Sequence, residues 1–294
     1  MHWVKAPSWL NHLDHPTPID SITLENHYIF SKSGNRIGVW TTVDPNCETV
    51  FIFIHGQLAT RAQTHRKLGL ALIARNFDAC VVTYDPSGYG DSSGWPHADA
   101  VKLDAESVVE WTANQHRRNL PIFVWGHSMG GPITAHLGAK FGNCEKLPCV
   151  RGVVLESTFA HLSYPVVHGV YGLPFKLIPV STRNYLLSTA LDFALGSSAL
   201  DAAPLLEAIG KCTGICANVF VLHGDQDWTV PVSAARELEE AFLKYARKFP
   251  GFPSIRSIIV QGGHHNDLHT ERHSAVVVPA VSKWIADTLN GGNH

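Results

Sequence analysis

Several things that would place this chain outside the class of ordinary folded domains are missing from it. It has six cysteines in 294 residues (Cys47, Cys80, Cys144, Cys149, Cys212 and Cys216). That is too sparse for the dense disulfide framework of a small secreted scaffold. Cys212 and Cys216 do not have zinc-finger spacing, and no second pair repeats it. Cys80 lies inside an apolar strand pattern and is expected to be a packed thiol. Cys144 and Cys149 are close enough in sequence to close a small loop. Asn-x-Ser/Thr does not occur. No apolar run escapes interruption by proline, glycine or charge, so no membrane span is expected. Met1 to Pro7 lacks the apolar core of a secretory leader. With a formal net charge of −2 and no strongly basic stretch, nucleic acid is excluded as a partner. The expectation is a cytoplasmic chain that meets a membrane peripherally at most.

What is present is a hydrophobic pattern of alternating strands and helices. Tyr28–Ser31 and Arg36–Thr41 read as strands of an antiparallel hairpin around Ser33-Gly34-Asn35. Thr49–Ile54, Ala79–Tyr84, Pro121–Trp125 and Val150–Leu155 read as buried strands. Helical patterns over 61–75 and 98–117, and from Ser128 onward, separate them. The alternation resumes with Asn218–Leu222, a helix over 234–247, Ser254–Val260 and a helix over 275–289. Strands that alternate with helices predict βαβ crossovers and a mostly parallel central sheet flanked by helices. The length suits one α/β domain, 1–294. Residues 158–205 break the rhythm and are apolar yet rich in proline and glycine. They read as a cap inserted over a site, the alternative being a long excursion packed on the sheet edge.

Gly126-His127-Ser128-Met129-Gly130 matches G-x-S-x-G, the turn that presents a nucleophilic serine between a strand and a helix. A chain of this length matches by accident roughly one time in ten. Gly90-Asp91-Ser92-Ser93-Gly94 matches too, so context must choose. Ser128 follows a short apolar strand and starts a helical stretch in which Pro132 fits the first turn. Ser92 follows a strand that runs into a loop with no helix behind it, and reads as a tight turn using glycine for backbone reasons.

A serine hydroxyl needs a base, and the base an orienting acid. In the order Ser, acid, His, the acid falls in His223-Gly224-Asp225-Gln226-Asp227. Asp227 is preferred, with Asp225 as the turn-stabilising alternative. The base falls in Gly263-His264-His265-Asn266, where either histidine qualifies. His269 and His273 continue at helical spacing, which raises a metal site, but no cysteine or acidic ligand pattern accompanies them, and neither metal nor cofactor is expected. The oxyanion donors are expected to be the backbone N–H groups of Met129 and Gln57. His55 has a bland reading as a buried imidazole bonded to backbone.

Ile54-His55-Gly56, Tyr84 to Gly94, Gly126 to Gly130 and Leu155-Glu156-Ser157 together resemble the α/β-hydrolase superfamily over nearly the whole chain. The similarity is greatest to the branch of lysophosphatidylserine, monoacylglycerol and protein-depalmitoylating hydrolases. It implies an acid three residues after Gly224, hence Asp227, and a base in a Gly-His-Asn-Asp setting, hence His265, with His264 where glycine is usual. The implied activity is hydrolysis of carboxylic esters of lipidic acyl groups through an acyl-enzyme. A thioesterase would use the same residues. A non-catalytic binding protein on this fold is the rival of another class. The expected partner is a small lipid-like acyl ester, the cap being the surface that would meet a membrane, and no partner protein is identifiable.

Overall fold

The computed structural model describes residues 13–57, 60–115, 120–143, 148–161, 217–247 and 254–291. Eight strands form one sheet: β1 (Leu24–Phe30), β2 (Arg36–Thr42), β3 (Thr49–Ile54), β4 (Ala79–Tyr84), β5 (Ile122–His127), β6 (Val150–Glu156), β7 (Asn218–Gly224) and β8 (Ile255–Val260). Their spatial order is β1-β2-β4-β3-β5-β6-β7-β8. β1 and β2 pair antiparallel, with Phe30 opposite Arg36 across the expected turn, and β2 runs antiparallel to β4. Every later pairing is parallel. The described helices are α1 (Thr64–Asn76), α2 (Ala98–Gln115), α3 (Gly130–Phe141), α4 (Ser233–Ala246) and α5 (Ser274–Leu289). This is the mostly parallel, helix-flanked sheet that the alternation predicted, in the α/β-hydrolase fold that the resemblance implied.

Period-two alternation along fully buried strands sorts the core by side-chain shape. Val50, Ile52, Ile54, Ile122, Val124, Val219 and Val221 point to one face, where α2, α3 and α4 cover them. Phe51, Phe53, Phe123, Trp125, Phe220 and Leu222 point to the other, against α1 and α5. The aliphatic face thus packs with branched chains, and the aromatic face is closed by Trp284 of α5, edge-on to Phe123 at 5.5 Å and tilted on Phe220 at 5.6 Å. Gly152 of β6 makes room for that indole, since a Cβ there would sit 2.6 Å from it.

Three expectations change. The first helix begins at Thr64, not Arg61, because Arg61 is buried and bonded to Asp85 and Asp91. The elbow helix begins at Gly130, because Ser128 has φ +54° and is not helical. Cys80 is not a packed thiol but is disulfide-bonded to Cys47, with the two Cα atoms 5.5 Å apart. The pattern misleads at Cys80 because a strand cysteine is apolar-compatible whether or not it is bridged. Cys149 is disulfide-bonded as well, whereas Cys144, Cys212 and Cys216 lie outside the described residues. Of the expected cap, 158–161 is described and the rest lies outside the described residues. Among the described residues, no helix is long and apolar enough to cross a membrane.

Candidate active site

Parallel pairing brings the carboxyl ends of β3, β5, β7 and β8 to one edge of the sheet, where α/β folds hold their ligands. Ser128 follows β5 there. Its positive φ is a left-handed conformation that β-carbon sterics disfavour, so the surroundings must hold it. Its N–H donates to the Glu156 carbonyl at 2.9 Å, and its own carbonyl accepts from the Thr158 hydroxyl at 2.7 Å and from the Gly131 N–H at 2.9 Å. Glycine at 126 and 130 is a spatial requirement, since a Cβ would come within 2.2 Å of the Thr134 hydroxyl and of the Ile54 carbonyl respectively. The second serine match sits otherwise. Ser92 is wholly buried, donating to the Asp85 carbonyl at 2.5 Å and accepting from the Gly38 N–H at 2.9 Å, as befits a loop clasp.

The ring of His265 lies between serine and acid. Its Nε2 is 3.1 Å from Ser128 Oγ and its Nδ1 is 2.8 Å from Asp227 Oδ2. With a carboxylate at Nδ1, the proton belongs on Nδ1 and the lone pair on Nε2 faces the hydroxyl. Asp227 is fixed in turn, its Oδ1 accepting from the N–H groups of Thr229 at 2.9 Å and Val230 at 2.8 Å. The competing residues have other partners. Asp225 accepts from the Gly262 N–H at 2.7 Å. His264 donates its backbone N–H to Asp267 at 2.7 Å, and its Nδ1 is 3.3 Å from the same carboxylate. Gly56 approaches Ser128 so closely that a Cβ would be 3.0 Å from the serine Cβ. Gln57, next to Gly56, and Met129, next to Ser128, line one cleft together with Gly56.

Two buried arginines, which the sequence reading did not single out, support the β3 loop. Arg66 donates to the carbonyls of Thr60 at 2.9 Å and of Gly56 and Gln57 at 3.1 Å. Burial pushes its pKa down to about 10, which leaves it charged. Arg61 joins Asp85 and Asp91, and Asp85 Oδ1 is 2.9 Å from His55 Nε2. His55 Nδ1 is 2.8 Å from the Gly56 carbonyl, so the bland reading of this residue holds; burial, with Arg66 beside it, lowers its pKa. Arginine just after His-Gly, in a stretch that otherwise reads as an apolar-faced helix, was the available signal.

A second group of buried polar residues lies behind the histidine. His127 donates from Nε2 to the His265 carbonyl at 2.7 Å. Glu156 is wholly buried, and its two oxygens take Trp125 Nε1 and His269 Nδ1, each at 2.6 Å. Burial, then the adjacent His265 and His269, holds His127 well below the ordinary histidine pKa. Burial and Arg66 push His65, beside these rings, to about 3. His127, Glu156 and His269 are close enough to hold a metal ion. Both carboxylate oxygens already accept from N–H donors, so the group fits a hydrogen-bonded brace better than a ligand set. His273, the other end of the sequence pattern, turns to Asp267 at 3.4 Å.

A model of the alpha/beta hydrolase fold family matches residues 49–176. The lysophosphatidylserine lipase of Danio rerio is 23% identical over 81% of this chain and 63% of its own length. That of Bos taurus is 24% identical over 72% of this chain and 55% of its own. The chain therefore spans less than two thirds of these relatives. Among solved structures, an esterase of Pyrococcus furiosus superposes with a TM-score of 0.68 at 17% identity, covering 92% of this chain and 93% of that one. The chain thus has the α/β-hydrolase fold and resembles, among proteins of that fold, the lysophosphatidylserine lipase branch.

Proposed function

We propose that this chain is a serine hydrolase that cleaves carboxylic esters of lipidic acyl groups, of the monoacylglycerol or lysophospholipid type, through an acyl-enzyme. The observation that carries the reading is the unbroken hydrogen-bond line from Ser128 Oγ through His265 to Asp227, at 3.1 and 2.8 Å. His265 takes the serine proton as Oγ attacks the ester carbonyl. Asp227 keeps the imidazole in the right tautomer and stabilises its cation. The oxyanion is received by the N–H groups of Gln57 and Met129. His265 returns the proton to the leaving alcohol, and the acyl group stays on Ser128. A water, deprotonated by His265, then attacks the acyl-serine and frees the acid.

The lipid part of the reading is supported by the names of the relatives. Residues 158–205 would form the cap, the surface meeting a lipid aggregate. In support, Thr158, at the start of that stretch, donates its hydroxyl to the Ser128 carbonyl. The test is hydrolysis of lysophosphatidylserine, monoacylglycerols, acyl thioesters and short esters, with fluorophosphonate labelling in parallel. Ser128→Ala is expected to abolish turnover and labelling. Full-rate ester hydrolysis by that variant would sink the mechanism, and preference for thioesters would move the substrate assignment.

A further inference from the structure

We propose that His65, His127 and His269 form a site for a divalent cation of the zinc type behind His265, with Glu156 as the outer acceptor that orients it. The inference does not rest on the hydrolase reading. It starts from two nitrogens. His127 has its Nε2 on the His265 carbonyl at 2.7 Å, and His269 has its Nδ1 on the Glu156 carboxylate at 2.6 Å. A carbonyl and a carboxylate only accept, so those two nitrogens carry the ring protons. The other nitrogen of each ring, His127 Nδ1 and His269 Nε2, is then a bare acceptor. Both are wholly buried, and no donor among the described residues reaches either. A buried polar atom without a partner is costly, and one explanation is an ion that belongs there.

The two bare nitrogens are turned toward α1. A Cβ on Gly56, in the loop leading to that helix, would stand 3.3 Å from His127 Nδ1. A Cβ on Gly69 of α1 would stand 2.8 Å from His269 Cδ2, the carbon bonded to Nε2. His65 lies four residues before Gly69, on the same face of the helix. An imidazole nitrogen binds zinc at about 2.0–2.1 Å, which puts the ring centre about 3.2 Å from the ion and two tetrahedrally placed ring centres about 5.2 Å apart. The centres of His127 and His269 are 5.1 Å apart, those of His65 and His269 5.9 Å, and those of His65 and His127 6.2 Å. His65, half-buried on the first turn of α1, has only to close by about an ångström to complete the set. The fourth position is left to a water.

The surroundings match what such sites need. Metal-binding histidines donate their second N–H to a carboxylate or a backbone carbonyl, which fixes tautomer and ring direction. His269 does the first and His127 the second. Glu156 stays outside the ligand set, as its two N–H partners require. Its buried negative charge offsets that of Arg66, whose cation next to His65 opposes a second positive charge. Imidazoles without free carboxylates exclude calcium and magnesium, which take oxygen ligands. The bound ion would tie α1 to the elbow and to the loop carrying His265.

The experiment titrates chelator-treated protein with zinc by calorimetry, follows the thermal midpoint with and without zinc, and records the visible spectrum with cobalt(II). The expected result is one ion per chain, a raised midpoint and a tetrahedral cobalt spectrum. His65→Ala and His269→Ala should each weaken binding at least tenfold. Glu156→Gln, which touches only the outer partner, should weaken it by about ten- to a hundredfold. His264→Ala and Ser128→Ala should bind as the wild type does. If the buried variants fail to fold, half-buried His65→Ala carries the test. A folded wild type that binds no zinc overturns the proposal and makes the pocket a water site. Binding that is unchanged in the folded His65, His269 and Glu156 variants overturns it too, because the chain has 18 histidines and the ion would then sit adventitiously on others.

Discussion

The imidazole of His127 donates to the backbone carbonyl of His265 across 2.7 Å, so the residue just before Ser128 grips the loop that carries His265. A displacement of about an ångström in a reacting group costs on the order of a hundredfold. His127→Leu is therefore expected to lower kcat by roughly ten- to a hundredfold while KM moves little. Fluorophosphonate labelling of Ser128 should slow in step. His127→Gln, which keeps a donor, should recover part of the loss. If kcat is unchanged in His127→Leu, the contact has no positioning role.

Asp227 and Asp225 meet different partners, His265 Nδ1 and the Gly262 N–H respectively. Asp227→Asn leaves a donor facing His265 Nδ1 and forces the wrong tautomer, so kcat should fall by about 10³- to 10⁴-fold. Asp225→Asn should change kcat by no more than a few-fold, because the Asp225 carboxylate meets the Gly262 N–H rather than the base. Steady-state kinetics on the two variants checks this, and a reversed order would move the acid to Asp225.

Glu156 is a buried carboxylate with two short N–H partners. Glu156→Leu leaves Trp125 Nε1 and His269 Nδ1 without an acceptor. Stranding buried donors on a charged partner's removal costs about 3–5 kcal/mol. Chemical denaturation is expected to show a loss of that order. A change under 1 kcal/mol would mean that water or a rearranged side chain replaces the brace.

The buried histidines give a pH dependence. His55, His65, His127 and His223 all have pKa values lowered by burial. A group lowered in this way takes its proton first in the unfolded chain. Stability from it is complete above the unfolded value near 6.5, is lost progressively below that, and levels off only below the folded pKa. Carboxylates such as Asp85 act lower, because Arg61, outweighing the effect of burial, keeps Asp85 below its ordinary value and its contribution is lost only as pH falls through the acid range. Urea midpoints should fall steadily between about pH 6.5 and pH 4.5, with the largest slope where carboxylates are still ionised. A flat midpoint over that interval would mean that these rings are protonated in the fold.

The Cys47–Cys80 bridge closes a loop with a sequence separation of 33. Chain entropy assigns such a loop about 3–4 kcal/mol. Cys80→Ser should lower stability by that order, and dithiothreitol should do the same to the wild type. Disulfides persist in oxidising compartments. The bridge therefore runs against the cytoplasmic expectation, and a free-thiol count on protein recovered from its native source decides between them.

Elements governed by local chemistry were legible in the sequence. β3, β4, β5, β6, β7 and β8 fall within two residues of their apolar runs. That Ser128, Asp227 and His265 would meet was legible because each sits after a strand end, a place that hydrophobic pattern locates well. What escaped was long-range pairing of polar groups. Arg61 looks like the start of a helix until Asp85 and Asp91 are known to face it. Glu156 and His269 lie 113 positions apart, and no periodicity links them. The Cys47–Cys80 bond escaped for the same reason: nothing at Cys80 distinguishes a bridged sulfur from a packed one.

β6 and β7 are hydrogen-bonded neighbours, with Glu156 opposite Leu222. The pairing is parallel, so the connection runs from the carboxyl end of β6, at Glu156, to the amino end of β7, at Asn218, which faces Gly152. It therefore crosses from one end of the sheet to the other. Length added to such a connection costs little chain entropy. Ser128, Asp227 and His265 lie outside it, after β5, β7 and β8. Residues can therefore be added to or taken from that connection without shifting the hydrogen-bonded line of Ser128, His265 and Asp227.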